Sequence, residues 1–378
     1  MGHLTMAKDE VYRALAERLA KNPVGAVVNE TLMKILYILY GEPEAAIGSK
    51  FPLRPASIGK ISEKTGFSIE ELKVHLENMA QKGLVADFPR KGETLYYLSP
   101  LVVGWFEYTF MRVTDSLPMA DLARLFNDYH HEKGVAEEFF GAETKMFNVL
   151  PYEGHIPPEV QSEVLTYERA SQMIRDSGGG SLSMCYCRHQ ARHMGKACDN
   201  PVEDVCTSLG KASEFLIRRG FARPAAVDEL LRVLEKTESL GLVHIGDNVQ
   251  NNPAFICHCC GCCCGVLRSI NETGVMSVHP GNFIPLVDHE KCVGCGTCAQ
   301  RCHIGAIEII ETVPGDKKSR RAFVKEDLCI GCGVCLAGCK KESIGFIRRK
   351  TIHVPPKNTK EQMMQIAAQK DRLKNFFE

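Results

Sequence analysis

The sequence is poor in features that assign a chain to a common class of protein. It has one tryptophan in 378 residues, and no uninterrupted apolar run approaches the length needed to cross a membrane. Lysine plus arginine (46) equals aspartate plus glutamate (46), so the overall charge does not favour a nucleic acid or an acidic membrane. The stretch MGHLTMAKDEVYRAL lacks the apolar core of a signal peptide. We therefore expect a cytoplasmic protein that does not insert into membranes.

The motifs of common substrate-processing enzymes are also missing. The sequence has no GxGxxG after a predicted strand, no GxxxxGK(S/T) phosphate loop and no HExxH zinc helix. It has no free C-x3-C-x2-C of the radical-SAM type either. Whether the protein is an enzyme stays open. These absences favour an electron-transfer component of an oxidoreductase over a stand-alone enzyme.

Cysteine is the residue that the chain has in excess. Its 18 cysteines are clustered and unevenly spaced, which is typical of metal ligands in a reducing compartment rather than of a disulfide scaffold. Eight of them form the pattern C-x2-C-x2-C-x3-C twice, at Cys292, Cys295, Cys298 and Cys302 and at Cys329, Cys332, Cys335 and Cys339. Thiolates at this spacing are typical ligands of iron–sulfur cubanes.

In CVGCGTCAQRCHIGAI and CIGCGVCLAGCKKESI the chain resembles the bacterial-type ferredoxins with two 4Fe-4S clusters, over about residues 283–347. The resemblance implies that the fourth cysteine of each motif ligates the other cluster. Cluster 1 then has the ligands Cys292, Cys295, Cys298 and Cys339, and cluster 2 has Cys329, Cys332, Cys335 and Cys302.

The chain departs from that family directly after the fourth cysteine of each motif. The usual proline is replaced by His303 and by Lys340. We expect both side chains to face water. If they instead place positive charge near the clusters, they raise the reduction potentials, because positive charge favours the reduced cluster.

The other ten cysteines lie in two tight groups, and we predict that both groups contribute to at least one further iron–sulfur cluster. The candidate ligands are Cys185, Cys187, Cys198, Cys206, Cys257, Cys259, Cys260, Cys262, Cys263 and Cys264. Neighbouring side chains diverge, so adjacent cysteines are not all expected to reach one metal. A zinc site and plain buried thiols are the alternatives. His189, His193 and His258 are further candidate ligands.

Two more resemblances concern this central region. Cys259, Cys260 and Gly261 resemble the C-C-G of cysteine-rich domains of the heterodisulfide reductase type, although the C-x2-C groups downstream are already assigned to the ferredoxin motifs. The segments CYCR, SEFLIRRG, FICHCCGCCC and VPPKN are similar to a family of uncharacterised ferredoxin-like proteins of anaerobes. That similarity implies cluster binding and no particular activity.

Residues 1–115 resemble a winged helix-turn-helix. Ser57 is predicted to begin one helix, Ser68 to cap a second with Glu71, and Gly83 to end it. Two strands, at residues 84–88 and 94–98, are predicted to flank a turn that contains Arg90, Lys91 and Gly92.

The second of these helices is acidic, with Glu70, Glu71 and Glu77. A negative helix is repelled by phosphate, so nucleic-acid binding is the less favoured interpretation. We expect a docking or structural module instead.

The sequence therefore predicts an α+β multidomain protein in which three glycines at residues 178–180 form a hinge or linker. The predicted units are a helical winged-helix-like domain (1–115), a helical connector (116–180), a cysteine-rich central domain (181–282), a ferredoxin-like two-cluster domain (283–350) and a C-terminal helix (351–378).

Function follows from the metal ligands. We predict an iron–sulfur electron-transfer protein, a subunit of an anaerobic oxidoreductase complex, that relays electrons between two ferredoxin cubanes and a centre in the cysteine-rich domain. The expected partners are redox proteins or oxidoreductase subunits. The alternatives are a reductase with a catalytic central iron–sulfur cluster and a redox-sensing DNA-binding regulator.

Overall fold

The computed structural model describes residues 2–90 and 92–376, which form a mixture of helices and sheets. The N-terminal elements are α1 (Gly2–Ala20), α2 (Glu30–Leu39), α3 (Glu42–Ser49), β1 (Ala56–Ser57), α4 (Ile58–Thr65), α5 (Ile69–Gln81), β2 (Val85–Arg90), β3 (Glu93–Leu98), α6 (Phe106–Phe110), α7 (Met119–His131) and α8 (Val135–Phe140). Strand β3 pairs antiparallel with both β1 and β2. The buried face of α2 consists of Leu32, Ile35, Leu36 and Leu39, which recur at helical spacing.

The local signals predicted for this part are present in the structure. The Ser68 hydroxyl accepts a hydrogen bond from the Glu71 amide at 3.3 Å, and the Glu71 carboxylate accepts one from the Ser68 amide at 2.9 Å. This reciprocal cap starts α5. Gly66 ends α4 in the left-handed conformation, with φ of 82°. Lys91, in the predicted hairpin turn, lies outside the described residues.

The middle of the molecule is a seven-stranded sheet with the order β10-β4-β8-β9-β6-β5-β7. Its elements are β4 (Phe147–Leu150), α9 (Ala170–Ser177), β5 (Gly180–Ser183), α10 (Tyr186–His193), β6 (Cys206–Leu209), α11 (Gly210–Arg218), β7 (Arg223–Ala225), α12 (Val227–Ser239), β8 (Val243–Asp247), β9 (Phe255–Cys259), α13 (Gly265–Arg268) and β10 (Val278–His279). Strand β8 is buried along its whole length. Its neighbour β9 carries the half-buried Cys257 and the buried Cys259.

The region predicted as a helical connector, residues 116–180, contains a strand that the prediction lacks. Phe147–Leu150 form β4, which pairs parallel with β10 and antiparallel with β8. All four residues of β4 are buried. A short apolar run is compatible with a helix or a strand, and here the neighbouring strands decide.

Of the three glycines predicted to form a hinge or linker, Gly180 instead lies inside the sheet. It pairs with Leu209 on one side and with Ala225 on the other. A Cβ atom at this position would lie 2.3 Å from the carbonyl oxygen of Ser208. Glycine is therefore needed for close strand packing rather than for flexibility.

The C-terminal elements are β11 (Phe283–Val287), α14 (Thr297–Arg301), β12 (Ile307–Glu311), β13 (Arg320–Val324), α15 (Val334–Ala337), β14 (Ile344–Arg348) and α16 (Thr359–Gln369). Strands β11 and β14 form one antiparallel pair, and β12 and β13 form another. The two short helices α14 and α15 each follow one of the cysteine loops. Of the described helices, none has the length and apolar character needed to cross a bilayer.

Helix α16 attaches the end of the chain to the N-terminal part. The predicted C-terminal helix covers residues 351–378, of which 377 and 378 lie outside the described residues, whereas α16 ends at Gln369 and a 3-10 turn follows at Leu373–Phe376. The attachment centres on the Glu138 carboxylate in α8. It lies 3.0 Å from the Lys370 ammonium group and 3.0 Å from an Arg372 guanidinium nitrogen, and it accepts the Gly25 amide at 2.8 Å.

We expect Glu138→Gln to loosen this attachment. Burial alone would raise the pKa of Glu138, but the hydrogen bond from Arg372 and the charge of Lys370 lower it. The substitution leaves two cations without their anion, so the free energy of local opening of α16 should fall by about 2 kcal/mol at neutral pH. Native-state hydrogen exchange of the α16 amides measures this quantity.

The effect depends on pH in a defined direction. A carboxylate with a lowered folded-state pKa stabilises the protein above its ordinary pKa, and this contribution is lost as the pH falls through the lowered value. The difference between the wild type and Glu138→Gln should therefore shrink on acidification. The matched control is Glu137→Gln, one residue earlier and exposed. Equal effects of the two variants would contradict the role of Glu138.

Candidate metal centres

The first ferredoxin motif and the last cysteine of the second motif line one cavity. The cavity measures about 250 Å³, and its thiols are those of Cys292, Cys295, Cys298 and Cys339. Ile309, Ala322 and Ile344 supply apolar walls. We call it cavity 1. Its donor set of four thiols in an apolar surrounding fits a 4Fe-4S cluster, and it contains the exchanged fourth ligand that the ferredoxin resemblance implies.

Cys302 lies with the second motif. Burial raises the pKa of Cys332 to about 12, and the neighbouring thiols of Cys329 and Cys302 act in the same direction. Burial likewise raises the pKa of Cys335, and the thiols of Cys332, Cys329 and Cys302 act in the same direction. Cys302 therefore lies near the three thiols of the second motif, as a second cluster site requires. Thiols that hold their protons this strongly ionise when a metal takes the place of the proton.

Two glycines allow the cysteine loops to pack directly against strand backbone. Gly294 and Gly331 have φ values of 63° and 73°. A Cβ atom would lie 2.5 Å from the Arg320 carbonyl oxygen at the first position and 2.2 Å from the Phe283 carbonyl oxygen at the second. No other residue fits either place without displacing a strand. The strands thereby fix the positions of the loop thiols.

Hydrogen bonds reach the ferredoxin sulfurs from nearby groups. The Ala306 amide donates to Cys302 Sγ at 3.2 Å, and the Ser343 hydroxyl lies 3.3 Å from Cys339 Sγ. Donors to ligand sulfurs stabilise the extra charge of a reduced cluster and so raise its reduction potential. Each of the two sites has such a donor.

The ten central cysteines divide into two groups in space. One group has six thiols, from Cys185, Cys187, Cys206, Cys257, Cys259 and Cys264. The other has four, from Cys198, Cys260, Cys262 and Cys263. Each group draws on both halves of the cysteine-rich sequence. We call them the six-thiol group and the four-thiol group.

The six-thiol group surrounds a buried cavity beneath the central sheet. Cys257 and Cys259 are two residues apart on β9 and therefore face the same side, and Cys206 begins the adjacent strand β6. Cys187 on α10 contacts Cys264, the residue before α13. Phe147, Ile245 and Val266 supply apolar walls, and Arg188 and His258 also line the cavity.

Soft thiols in a dry pocket fit an iron–sulfur cluster in their chemistry. The space left between these six thiols is about 30 Å³, against about 250 Å³ in cavity 1. A cluster therefore requires the thiols to rotate outwards.

The four-thiol group is tighter. All four sulfurs lie within 4.8 Å of one another. Cys262 Sγ and Cys263 Sγ are 3.7 Å apart, so two adjacent cysteines do reach one point here. Cys259 and Cys260 both line the cavity of the six-thiol group, but only the Cys260 sulfur lies with the four-thiol group.

Arg188 lies between the two groups and is fully buried. Its guanidinium group donates hydrogen bonds to the carbonyl oxygens of Pro201 and His258. A hydrogen bond with Cys263 lowers the pKa of Cys260, and the charge of Arg188 acts in the same direction against the effect of burial. The guanidinium thus provides positive charge where thiolates gather.

The three candidate histidines do not reach either thiol group as ligands. His258 points to the opposite face of β9, where its Nδ1 lies 3.0 Å from the Thr237 hydroxyl. His189 Nδ1 lies 2.8 Å from the Phe110 carbonyl oxygen, and its Nε2 lies 3.2 Å from His193 Nε2. These rings are held by other protein groups.

His303 does not simply face water, contrary to expectation. Its Nδ1 accepts the Gly261 amide at 3.1 Å, so Nε2 carries the proton and donates it to the Gly241 carbonyl oxygen at 2.7 Å. The neutral ring thus connects the ferredoxin motif to the four-thiol loop, and it adds no charge to cluster 2. Lys340 is exposed as expected, at the wall of cavity 1.

Sequence reasoning missed the division of the central cysteines and the role of Arg188. Cys257 and Cys259 are two residues apart on a strand, and this spacing could have predicted that both belong to the same thiol group. Arg188 follows directly after Cys187, and a charged residue so close to cysteines in a short helix was a weak signal at best. The bridge through His303 depends on two distant segments and had no local signal.

A doubled cysteine motif whose thiols gather at two places is typical of an iron–sulfur domain. Residues 291–343 match the family of the 4Fe-4S dicluster domain. No match to the chain was found among curated proteins or solved structures. The matched segment and the cysteine groups support iron–sulfur binding and an electron-transfer role.

Paired substitutions test the exchange of the fourth ligands. Cys298→Ser with Cys339→Ser removes two thiols from cavity 1 and should cost about four irons per chain. Cys298→Ser with Cys302→Ser removes close neighbours in sequence but one thiol from each site, and should cost about eight irons. Iron and acid-labile sulfide analysis of anaerobically purified protein measures the losses. The reverse pattern would show that each motif holds its own cluster.

Proposed function

We propose that this protein is an electron-transfer protein, in which two ferredoxin cubanes exchange electrons with a third iron–sulfur cluster held by the six-thiol group. The matched 4Fe-4S dicluster segment supports the two cubanes. The donor set of the six-thiol group supports the third cluster. Iron–sulfur clusters supply one-electron transfer when bound, and the protein sets their potentials through hydrogen bonds, charge and burial.

The observation that carries the proposal is a packed path between the second ferredoxin site and the six-thiol group. The Tyr152 amide donates to the carbonyl oxygen of Cys332 at 3.1 Å. The Tyr152 ring centroid lies 5.1 Å from that of His244, and His244 lies 5.0 Å from His258. His258 is covalently joined to Cys257 and Cys259. A cysteine of one site is thus connected to two cysteines of the other through contacting groups.

Burial and hydrogen bonds hold this path in place. Tyr152 is fully buried, and its hydroxyl donates to the Leu242 carbonyl oxygen at 2.8 Å. The Thr237 hydroxyl lies 3.3 Å from His244 Nε2 and 3.0 Å from His258 Nδ1, between the two rings. Rigid, water-free packing keeps the reorganisation on electron transfer small.

The N-terminal part fits a docking or structural role within an anaerobic oxidoreductase complex. Arg219 pairs with Glu77 on α5 at 2.6 Å and with Asp87 on β2 at 2.9 Å. Two acidic side chains of the N-terminal part, Glu77 and Asp87, are therefore paired with the central domain. An acidic surface held in this way supports protein contacts and does not favour binding to phosphate groups.

The first test is the iron content and the EPR spectrum of the dithionite-reduced protein, purified anaerobically. Three cubanes predict about twelve irons per chain and three interacting reduced centres. Cys259→Ser should cost about four of these irons and one EPR signal. The neighbouring Cys260→Ser provides the matched control, because its thiol belongs to the four-thiol group, and it should keep all three signals.

About eight irons in the wild type would remove the third cluster and with it the internal relay. Loss of the same signal in both variants would point to one centre that spans both groups.

A further inference from the structure

The four-thiol group has the dimensions of a site for a single metal ion. Cys198 Sγ lies 3.7 Å from Cys260 Sγ and 3.8 Å from Cys263 Sγ. Cys262 Sγ lies 3.7 Å from Cys263 Sγ. Four sulfurs arranged tetrahedrally around one zinc ion, with Zn–S bonds of about 2.3 Å, lie about 3.8 Å from one another. The separations in the structure agree with that value.

A cubane makes a different demand on its ligands. Its four irons lie at alternate corners of a cube, and each thiolate extends outward from one of them, so the thiolates stand much further apart than around a single ion. The thiols of cavity 1 surround a space of about 250 Å³, in line with this demand. The four-thiol group encloses no comparable space, since its sulfurs all lie within 4.8 Å of one another.

The surroundings of the four-thiol group are those of a closed structural site. Cys260 and Cys263 are buried in an apolar cluster with Ala191 and Leu242. The Asn200 side-chain amide donates to Cys198 Sγ at 3.4 Å. Four thiolates around a divalent ion carry a net negative charge, and the buried Arg188 guanidinium contacts Cys260 to offset part of it.

We propose that Cys198, Cys260, Cys262 and Cys263 bind one Zn²⁺ ion, at a site separate from the iron–sulfur centres. Closed tetrahedral sites with four cysteine ligands are the usual form of structural zinc. The ion joins two segments that lack regular structure. Residues 194–205, which contain Cys198, form neither helix nor strand, and residues 261–263 form the turn after β9.

This zinc site also holds the turn against the ferredoxin domain. Gly261 lies between two of the ligands, and a Cβ atom there would be 2.4 Å from the His303 carbonyl oxygen. The Asn271 side-chain amide donates to that same oxygen at 3.0 Å. His303 directly follows Cys302 of the second ferredoxin site. Binding of the ion therefore fixes the turn at Gly261, against which the second ferredoxin site packs.

Metal analysis of the full chain, purified anaerobically without added metal, tests the proposal. We expect about one zinc per chain in addition to the iron, and zinc K-edge X-ray absorption should show four sulfur neighbours at about 2.3 Å. This measurement needs no variant. Zinc with nitrogen or oxygen neighbours, no zinc, or a mononuclear iron with sulfur ligands would overturn the proposal.

Two adjacent substitutions separate this site from the six-thiol group. Cys263→Ser should reduce the zinc content at least about tenfold and leave the iron content unchanged, whereas Cys264→Ser should reduce iron and leave zinc. Cys262→Ser should likewise reduce the zinc content and leave the iron content unchanged. Cys262 is exposed, so misfolding of this variant is not expected. Loss of about four irons in Cys263→Ser would assign a cubane to the four-thiol group instead. Failure of the third cluster alone leaves the zinc result unaffected.

Discussion

A buried guanidinium group requires negative charge around it, and at Arg188 thiols provide that charge. The side chain is fully enclosed, and the thiols of Cys185, Cys259 and Cys260 all act on it electrostatically. If these thiols are held as thiolates by metal, the cation and the anionic centres stabilise one another, whereas either alone is costly to bury. With the metals proposed above, the central domain would depend on them for charge balance as well as for cross-links. We infer that metal loading and folding of this region are coupled.

The side chains of strand β9 alternate between two faces, and this alternation links the charged surroundings of Arg188 to the rest of the molecule. Cys257 and Cys259 face the six-thiol group, and His258 faces the buried pair of Thr237 and His244. The turn at Gly261 then reverses the chain so that the next thiols meet Cys198. One short stretch therefore serves two centres and the packed path to the ferredoxin domain. A shift of its register by one residue would exchange the histidine and cysteine faces.

The spacing of residues in the sequence predicted those features that depend only on residues close together in the chain. The ferredoxin motifs and the cap at Ser68 are encoded within a few residues, and both kinds of signal could be interpreted from the sequence. The strand at Phe147–Leu150 could not, because its partners β8 and β10 are distant in the chain. The same holds for the division of the ten central cysteines, which follows from the pairing of β9 with its neighbours. The mixture of helices and sheets was predictable, but the grouping of the central cysteines depends on long-range contacts.

The ferredoxin resemblance implies that the fourth cysteine of each motif ligates the cluster of the other motif. The order in which the cysteines are synthesised then limits when each cluster can form. Three thiols of cavity 1 come from the first motif, and the fourth, Cys339, is the last cysteine of the chain. A ribosome has therefore synthesised every other cysteine before this cavity can acquire its full ligand set. Cys302 belongs to the first motif and is synthesised early, but its three partner cysteines come from the second motif. With the exchanged ligands that the ferredoxin resemblance implies, termination of synthesis between the motifs leaves neither site complete.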